Sequence, residues 1–274
     1  MRKWTVALLG AALAMPGSAW AASKWATHGE IGLVAARATT TSESGDIKLE
    51  AAHAIGRWTY SGGLTALYAS TNHMTTQQDV SAHLQTDLAL STRTFWFGAG
   101  RWDRNLFDGF AYQESIASGL GRILVQTNPT RLSVELGVGF RRERPELLTT
   151  NTLGAVTSRV QRPVVRDVVV HAGAQYRHSI DSSTHVVDTL LVESGSSDTM
   201  TTNNLSLQVK MEKTLSLAVG VQLTNNTSPP PGSVRHTDTV MTVNLVYEFK
   251  NSKLTVTPGS GDSFSDLIGS LNMP

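Results

Sequence analysis

Apolar and polar residues alternate along most of this chain. The alternating runs, rich in Val, Thr, Leu and aromatics, lie near 27–37, 46–54, 57–69, 79–90, 94–103 and 110–122, then near 130–141, 167–177, 184–194, 201–212, 215–224 and 236–249. A period of two puts successive side chains on opposite faces of a strand, so the pattern predicts β-strands with one apolar and one polar face. The last run is the clearest. Thr239, Met241, Val243, Leu245, Tyr247 and Phe249 share one face, and Asp238, Thr242, Asn244 and Glu248 share the other. The run at 130–141 sets Leu132, Val134, Leu136, Val138 and Phe140 against Arg131, Ser133, Glu135 and Arg141. That at 201–212 sets Leu205, Leu207, Val209 and Met211 against Asn204, Ser206, Gln208, Lys210 and Glu212. The runs at 94–103, 110–122 and 184–194 leave the choice of face open, because either face carries a polar residue or Gly.

Alternation alone suits a soluble sandwich or barrel as well as a membrane barrel. The gaps between runs separate the two. After every second run the gap is short, at Gly56, Ser91 to Arg93, Gln126 to Pro129, His178 to Ser183 and Lys213-Thr214. The other gaps are longer: TTTSESGD, STNHMTTQQ, DRNLFDG, the stretch from Arg142 to Arg166, SGSSDTM and NNTSPPPGSVR. Tight turns on one rim and longer loops on the other are the expected form of an all-β, antiparallel up-and-down transmembrane β-barrel, here of about 12 strands. Most runs have about the 9–11 residues that a tilted strand needs to cross the hydrocarbon layer. No stretch after the N-terminus approaches the roughly 18 apolar residues of a spanning helix. Because a barrel spreads its apolar residues over alternate positions, a mean hydropathy of −0.11 is compatible with membrane insertion. Trp58, Tyr60, Phe95, Trp96, Tyr176, Tyr247 and Phe249 fall near run ends, where aromatic girdles sit.

The N-terminus, MRKWTVALLGAALAMPGSAWA, reads as an export signal over residues 1–21, with Arg2 and Lys3 before an apolar run and Ala19-Trp20-Ala21 as the cleavage site. The barrel domain is expected over 22–249. A tail over 250–274 is expected on the periplasmic side, where Phe264, Leu267, Ile268 and Leu271 have the spacing of a short helix. The absence of Cys removes disulfide scaffolds and thiolate metal sites. With 23 Lys+Arg against 22 Asp+Glu, charge gives no case for a nucleic-acid partner.

The patches FWFGAGRWDRNLFDGFAYQESIASGLG (95–121), LSVELGVGFRRERPE (132–146) and LTNNTSPPPGSVRHTDTVMTVNLVYEF (223–249) resemble the YdiY-like family of salt-induced outer-membrane proteins. The resemblance implies a barrel in the outer membrane of a Gram-negative cell, inserted by the barrel-assembly machinery. It implies no activity and no catalytic residues, because the family's function is uncharacterised.

No GxSxG, HExxH, P-loop or dinucleotide motif occurs, so no common enzyme class has a foothold and no cofactor or metal is expected. A lipid hydrolase would need Ser and His on neighbouring strands, with His53, His171, His178 and His185 as candidates. DRNLFDG has Asp103 and Asp108 but not the spacing of a calcium loop. The water-facing set offers a candidate pore lining of Glu50, Asp87, Arg131, Glu135, Arg141, His171, Arg177, Lys210, Asp238 and Glu248, with Lys48, Asp79 and His83 beside it. Both signs are present, which suits either a lining that selects solutes or a network that closes the lumen. Between residues 141 and 166, six Arg oppose two Glu, a local excess of 6 − 2 = +4. Folded inward, this loop would favour anions at the mouth. Extended, its Arg142, Arg144, Arg159 and Arg162 could hold phosphates of outer-membrane lipid and lipopolysaccharide. Three functions therefore stand open: a narrow passive pore for small hydrophilic solutes with a salt-stress role, a non-conducting structural barrel, and a soluble lipid-binding periplasmic barrel.

Overall fold

The computed structural model describes residues 25–37, 41–72, 74–105, 109–150, 156–229 and 237–249. The export signal, the 250–274 tail with its short helix, Asp108, and most of the SPPPG loop lie outside the described residues.

The elements are β1 (Trp25–Arg37), β2 (Thr41–Ile55), β3 (Trp58–Thr71), β4 (Met74–Ala89), β5 (Thr94–Asn105), β6 (Phe110–Gln126), β7 (Thr130–Thr150), β8 (Val156–Gln161), β9 (Val165–Ser179), β10 (Thr184–Ser194), β11 (Thr199–Lys210), β12 (Leu215–Asn226) and β13 (Thr237–Phe249). Each strand pairs antiparallel with its neighbour, β7 pairs with β9, and β1 pairs with β13, so twelve strands close into a barrel. Closure leaves no open edge within the ring of twelve strands, which is what a hydrocarbon environment demands of a β-structure. All twelve alternating runs are barrel strands, and 184–194 coincides with β10.

The loops differ from expectation. Most of TTTSESGD belongs to β2, and most of STNHMTTQQ belongs to β3 and β4. The stretch from Arg142 to Arg166 is mainly a β-hairpin rather than a loop, because β7 runs on to Thr150 and pairs with β8 from Glu146↔Gln161 to Thr150↔Val156. It prolongs the wall in nearly the same register as Glu143↔Val165 below it, so it does not fold into the mouth. Leu147, Leu148, Val156 and Val160 supply the β-propensity that extends these strands.

Side-chain orientation settles the environment. Met241 is 76% exposed and Val168 70%, whereas Glu193 and Asp87 are 2% exposed. Apolar residues therefore face out and charges face in, the reverse of what a soluble barrel needs, and the chain forms a transmembrane β-barrel. This overturns the soluble lipid-binding expectation. Aromatics frame the apolar band. At the rim of tight turns Trp58 stacks on Tyr60 and meets Trp96 edge-on, both at 6.2 Å, with Tyr176 and Tyr247 at the same end. At the other, loop-bearing rim stand Tyr68, Trp102 and Phe140. From Trp58 to Tyr68 is ten residues of β3. At about 3.3 Å per residue and a tilt near 40° this spans about 25 Å, the height of a barrel's lipid-facing band.

Phe95, Phe97 and Ala117, with Ala99 against them, form an apolar cluster inside the barrel, which settles the open choice of face in 94–103 and takes Phe95 out of the outer girdle where it was expected. Glycines make room for it. A Cβ on Gly121 would lie 1.9 Å from Phe95 Cζ. At paired Gly119 and Gly137 the two backbones approach closely: a Cβ on Gly119 would come within 2.2 Å of Leu136 O and one on Gly137 within 2.4 Å of Ser118 O.

Candidate lumen site

A cavity of about 290 Å³ occupies the half of the barrel nearest the loop rim. Asn105, Phe110, Gln113 and Thr224 line its upper part, and Gln85, Ala99, His171 and Asn244 its floor. Its charged lining comprises Glu30, Asp46, Asp79, Asp103, Glu135 and Glu193 against Lys48 and Arg101, with His83 and His171. Among the described residues this is six carboxylates to two fixed cations. Towards the turn rim Asp87, Phe95, Phe97, Arg177, His185, Gln208, Ser216 and Val246 are all buried, and none lines the cavity.

Two networks hold the cavity walls. The first joins β1, β2 and β13. His28 Nε2 lies 2.9 Å from Glu30 Oε1, and Lys48 Nζ donates to the same oxygen at 3.2 Å and lies 3.5 Å from Glu50. Asn244 Nδ2 donates to Glu30 Oε2 at 3.1 Å and to Asp46 Oδ2 at 2.8 Å. Alternation in β1 and β2 puts His28 and Glu30, and Asp46, Lys48 and Glu50, on one face. Charges withdrawn from water are tolerable here because each meets an opposite charge or a donor.

The second network joins β5, β7, β9, β10 and the turn after β10. His171 sits between Glu135 at 3.3 Å and Glu193 at 3.4 Å, with its ring 5.3 Å from Phe97. Arg101 pairs with Asp103 and reaches Met200 Sδ at 3.1 Å. Higher up, buried Arg141 lies 3.6 Å from Glu143 and 3.9 Å from Asp198, and donates to the carbonyls of Glu193 and Asp198. Asp198 also accepts from Thr227 Oγ1 and Ser228 N, both at 2.8 Å, which ties the β10–β11 turn to the end of β12. Near the turn rim Gln85 Nε2 donates to Asp87 Oδ1 at 3.0 Å, and His185 Nε2 lies 2.9 Å from Gln208 Oε1.

Of the candidate pore lining, Glu135 and His171 line the cavity, and Lys48, Asp79 and His83 do so with them. Glu50, Asp87, Arg141 and Arg177 are buried inside the barrel but away from the cavity surface. Arg131 is half-buried near the turn rim, Asp238 is half-buried near the loop rim, and Glu248 stands opposite His28 in the backbone register. Lys210 is exposed at the turn rim and does not line the cavity. Arg142 and Arg144 fall on the outward positions of β7, Arg159 pairs with Glu146 at 3.6 Å, and Arg162 is exposed after β8. Three of the four His candidates for hydrolysis have other partners: His171 the two Glu, His178 the hydroxyl of Thr130 at 2.8 Å, and His185 Gln208.

Sequence reading left Glu30, Asp46, Arg101 and Glu193 out of the lining and placed Asp103 in the DRNLFDG loop, whereas Asp103 lies in β5 and lines the cavity. The first two were legible from the alternation in β1 and β2. Glu193 was hidden because the inward face of β10 also carries Val187 and Leu191.

Comparison with curated proteins finds no match. Among solved structures, the chain is similar to the NanC porin, with 10% identity, a TM-score of 0.47, and coverage of 82% of this chain and 100% of that one. It is similar to the translocator domain of autotransporter NalP from Neisseria meningitidis, with 14% identity, a TM-score of 0.43, and coverage of 82% and 87%. It is similar to the KdgM porin, with 10% identity, a TM-score of 0.39, and coverage of 82% and 99%. Residues 29–249, nearly the whole barrel, match the family described as "Protein of unknown function, DUF481", and the chain belongs to that family.

Proposed function

We propose that this barrel sits in the outer membrane of a Gram-negative bacterium, turn rim to the periplasm, and acts as a narrow passive pore for small hydrophilic solutes with a preference for cations. The carrying observation is the loop-side cavity with six carboxylates against Lys48 and Arg101. Low-dielectric walls strengthen the field of such a lining and raise the local concentration of counter-ions. A volume of about 290 Å³ holds about ten waters at roughly 30 Å³ each, which is room for a small solute. The layer of Phe97, His171 and Glu135 is the constriction, so conductance is expected to be small. Such a pore suits the salt-stress role that the family resemblance implies, which growth of a deletion strain across a salt series would test.

The test is conductance of the refolded chain in planar bilayers, with the reversal potential read across a KCl gradient. Small steps with cation preference are expected. Anion preference would overturn the reading. A second reading, a closed structural barrel, draws on the buried layer of Asp87, Phe95, Phe97 and Arg177, and silence of the wild-type chain would favour it.

A further inference from the structure

We propose that the outward face of β7 and β9 carries a binding site for the phosphate of a phosphorylated glycolipid in the surrounding leaflet, built by Arg142, Arg144 and Arg166. Arg142 and Arg166 stand directly opposite one another in the β7–β9 register. Like charges placed opposite across antiparallel strands destabilise a sheet, unless a counter-ion lies between them. Arg144 is two residues further along β7 on the same outward face, next to Tyr112 of β6. No carboxylate pairs with Arg144 or Arg166 among the described residues. Glu114 pairs with Arg142 at 2.9 Å, and the Tyr112 ring lies 5.5 Å beneath that guanidinium and orients it. Three guanidiniums against one carboxylate leave 3 − 1 = +2, the charge that a phosphate monoester neutralises.

Nε of Arg142 and Nε of Arg144 are closed to solvent and have no acceptor, so a headgroup phosphate would be met by the terminal Nη groups of each fork. Guanidinium donors arranged in a fork match the oxygens of phosphate, and such bonds strengthen where water is excluded. Depth selects a lipid rather than a soluble anion. Directly below the arginines on the same two strands lie Phe140, Val138 and Val168, all exposed on the outer wall. A headgroup phosphate held by the arginines would leave its acyl chains along this apolar strip. The site lies outside the lumen and does not depend on whether the barrel conducts.

The experiment uses the mature chain refolded in detergent and titrated, with native mass spectrometry as readout, against a bis-phosphorylated glucosamine-disaccharide lipid, its dephosphorylated form, and inorganic phosphate. The phosphorylated lipid should bind at least about tenfold more tightly than the dephosphorylated one, since a single hydrogen bond to a charged group is worth roughly that factor or more. Arg142→Ser with Arg166→Ser should abolish the difference, and Arg142→Lys with Arg166→Lys should keep part of it. Folding of each variant is checked by heat-modifiable gel mobility. Stability gives a second readout with opposite signs: Arg166→Ser should raise the melting temperature in lipid-free detergent, where like charges are relieved, and lower it in the phosphorylated lipid. Equal affinity for the two lipids, an unchanged double Ser variant, competition by inorganic phosphate at equal concentration, or the same sign of stability change in both media would each overturn the proposal.

Discussion

The two halves of the lumen are enclosed by the same twelve strands, yet one is hollow and the other filled. Near the loop rim the inward positions carry carboxylates beside short residues such as Thr65, Ser81, Thr202 and Gly220, which leave space between facing walls. Near the turn rim Phe95, Phe97, Arg177, His185 and Gln208 reach inward and meet. Strand number fixes the diameter of a barrel, but inward side-chain volume decides whether that diameter is open. The difference has a chemical side as well. The hollow half concentrates negative charge, and the filled half combines buried charge with aromatic rings.

The largest effect should come from the filled half. Phe97 is fully buried against His171, and Phe97→Ala should cost about 3–5 kcal/mol of stability if the void stays dry. The same change should raise single-channel conductance by widening the constriction between the cavity and the turn rim, and unchanged conductance would place the constriction elsewhere. Next comes the contrast across the wall at one level of β13. Leu245 faces out and Asn244 faces Glu30 and Asp46. Leu245 lies two residues from Tyr247 of the turn-rim girdle, so Leu245→Arg should cost less than the roughly 2–4 kcal/mol of the bilayer midplane in a refolding titration, and Asn244→Arg less still. A larger cost for the Asn244 change would invert the assignment of faces.

A smaller effect is expected from the hollow half. Asp46→Asn removes one of six carboxylates and should move the reversal potential part of the way towards zero, with conductance nearly unchanged. The smallest probe is at the turn rim, where Asp181 accepts hydrogen bonds from Ser183 N at 2.7 Å and from Ser183 Oγ and Thr184 N at 2.8 Å. These donors hold its carboxyl below the ordinary carboxylate range. Stabilisation of the turn is therefore full above the unfolded value near about 3.9 and is lost as pH falls through the lower folded value. Asp181→Ala should lower the melting temperature slightly at neutral pH and leave it unchanged in strong acid.

The barrel itself was legible because period-two alternation is a local signal, and runs such as Thr239 to Phe249 carry it without interruption. Two features escaped. Polar strand ends, as in TTTSESGD and STNHMTTQQ, look like loops, because beyond the lipid band a strand has no need of apolar residues. The lumen contacts escaped for a different reason. Asn244 meets Glu30 and Asp46 across 214 and 198 residues of chain, and Arg101 meets Met200 across 99. No local pattern encodes which inward side chains will face each other across a closed ring. The inward Phe95 and Phe97 broke the pattern itself, and this made their run ambiguous.

The closing ladder has a kinetic consequence. β1 and β2 pair over thirteen residues, from Trp25↔His53 to Arg37↔Thr41, whereas β1 and β13 pair over five, from Thr27↔Phe249 to Ile31↔Leu245. The shortest ladder in the ring therefore joins the strands farthest apart in sequence. The entropy of bringing such distant segments together must be overcome before their contacts contribute, so this is the last line to form as the barrel assembles. By the same reasoning it is the first to part. Backbone amides of Gly29 and Tyr247 should then exchange with deuterium sooner than those of Leu120 and Leu136, which sit in the long β6–β7 ladder.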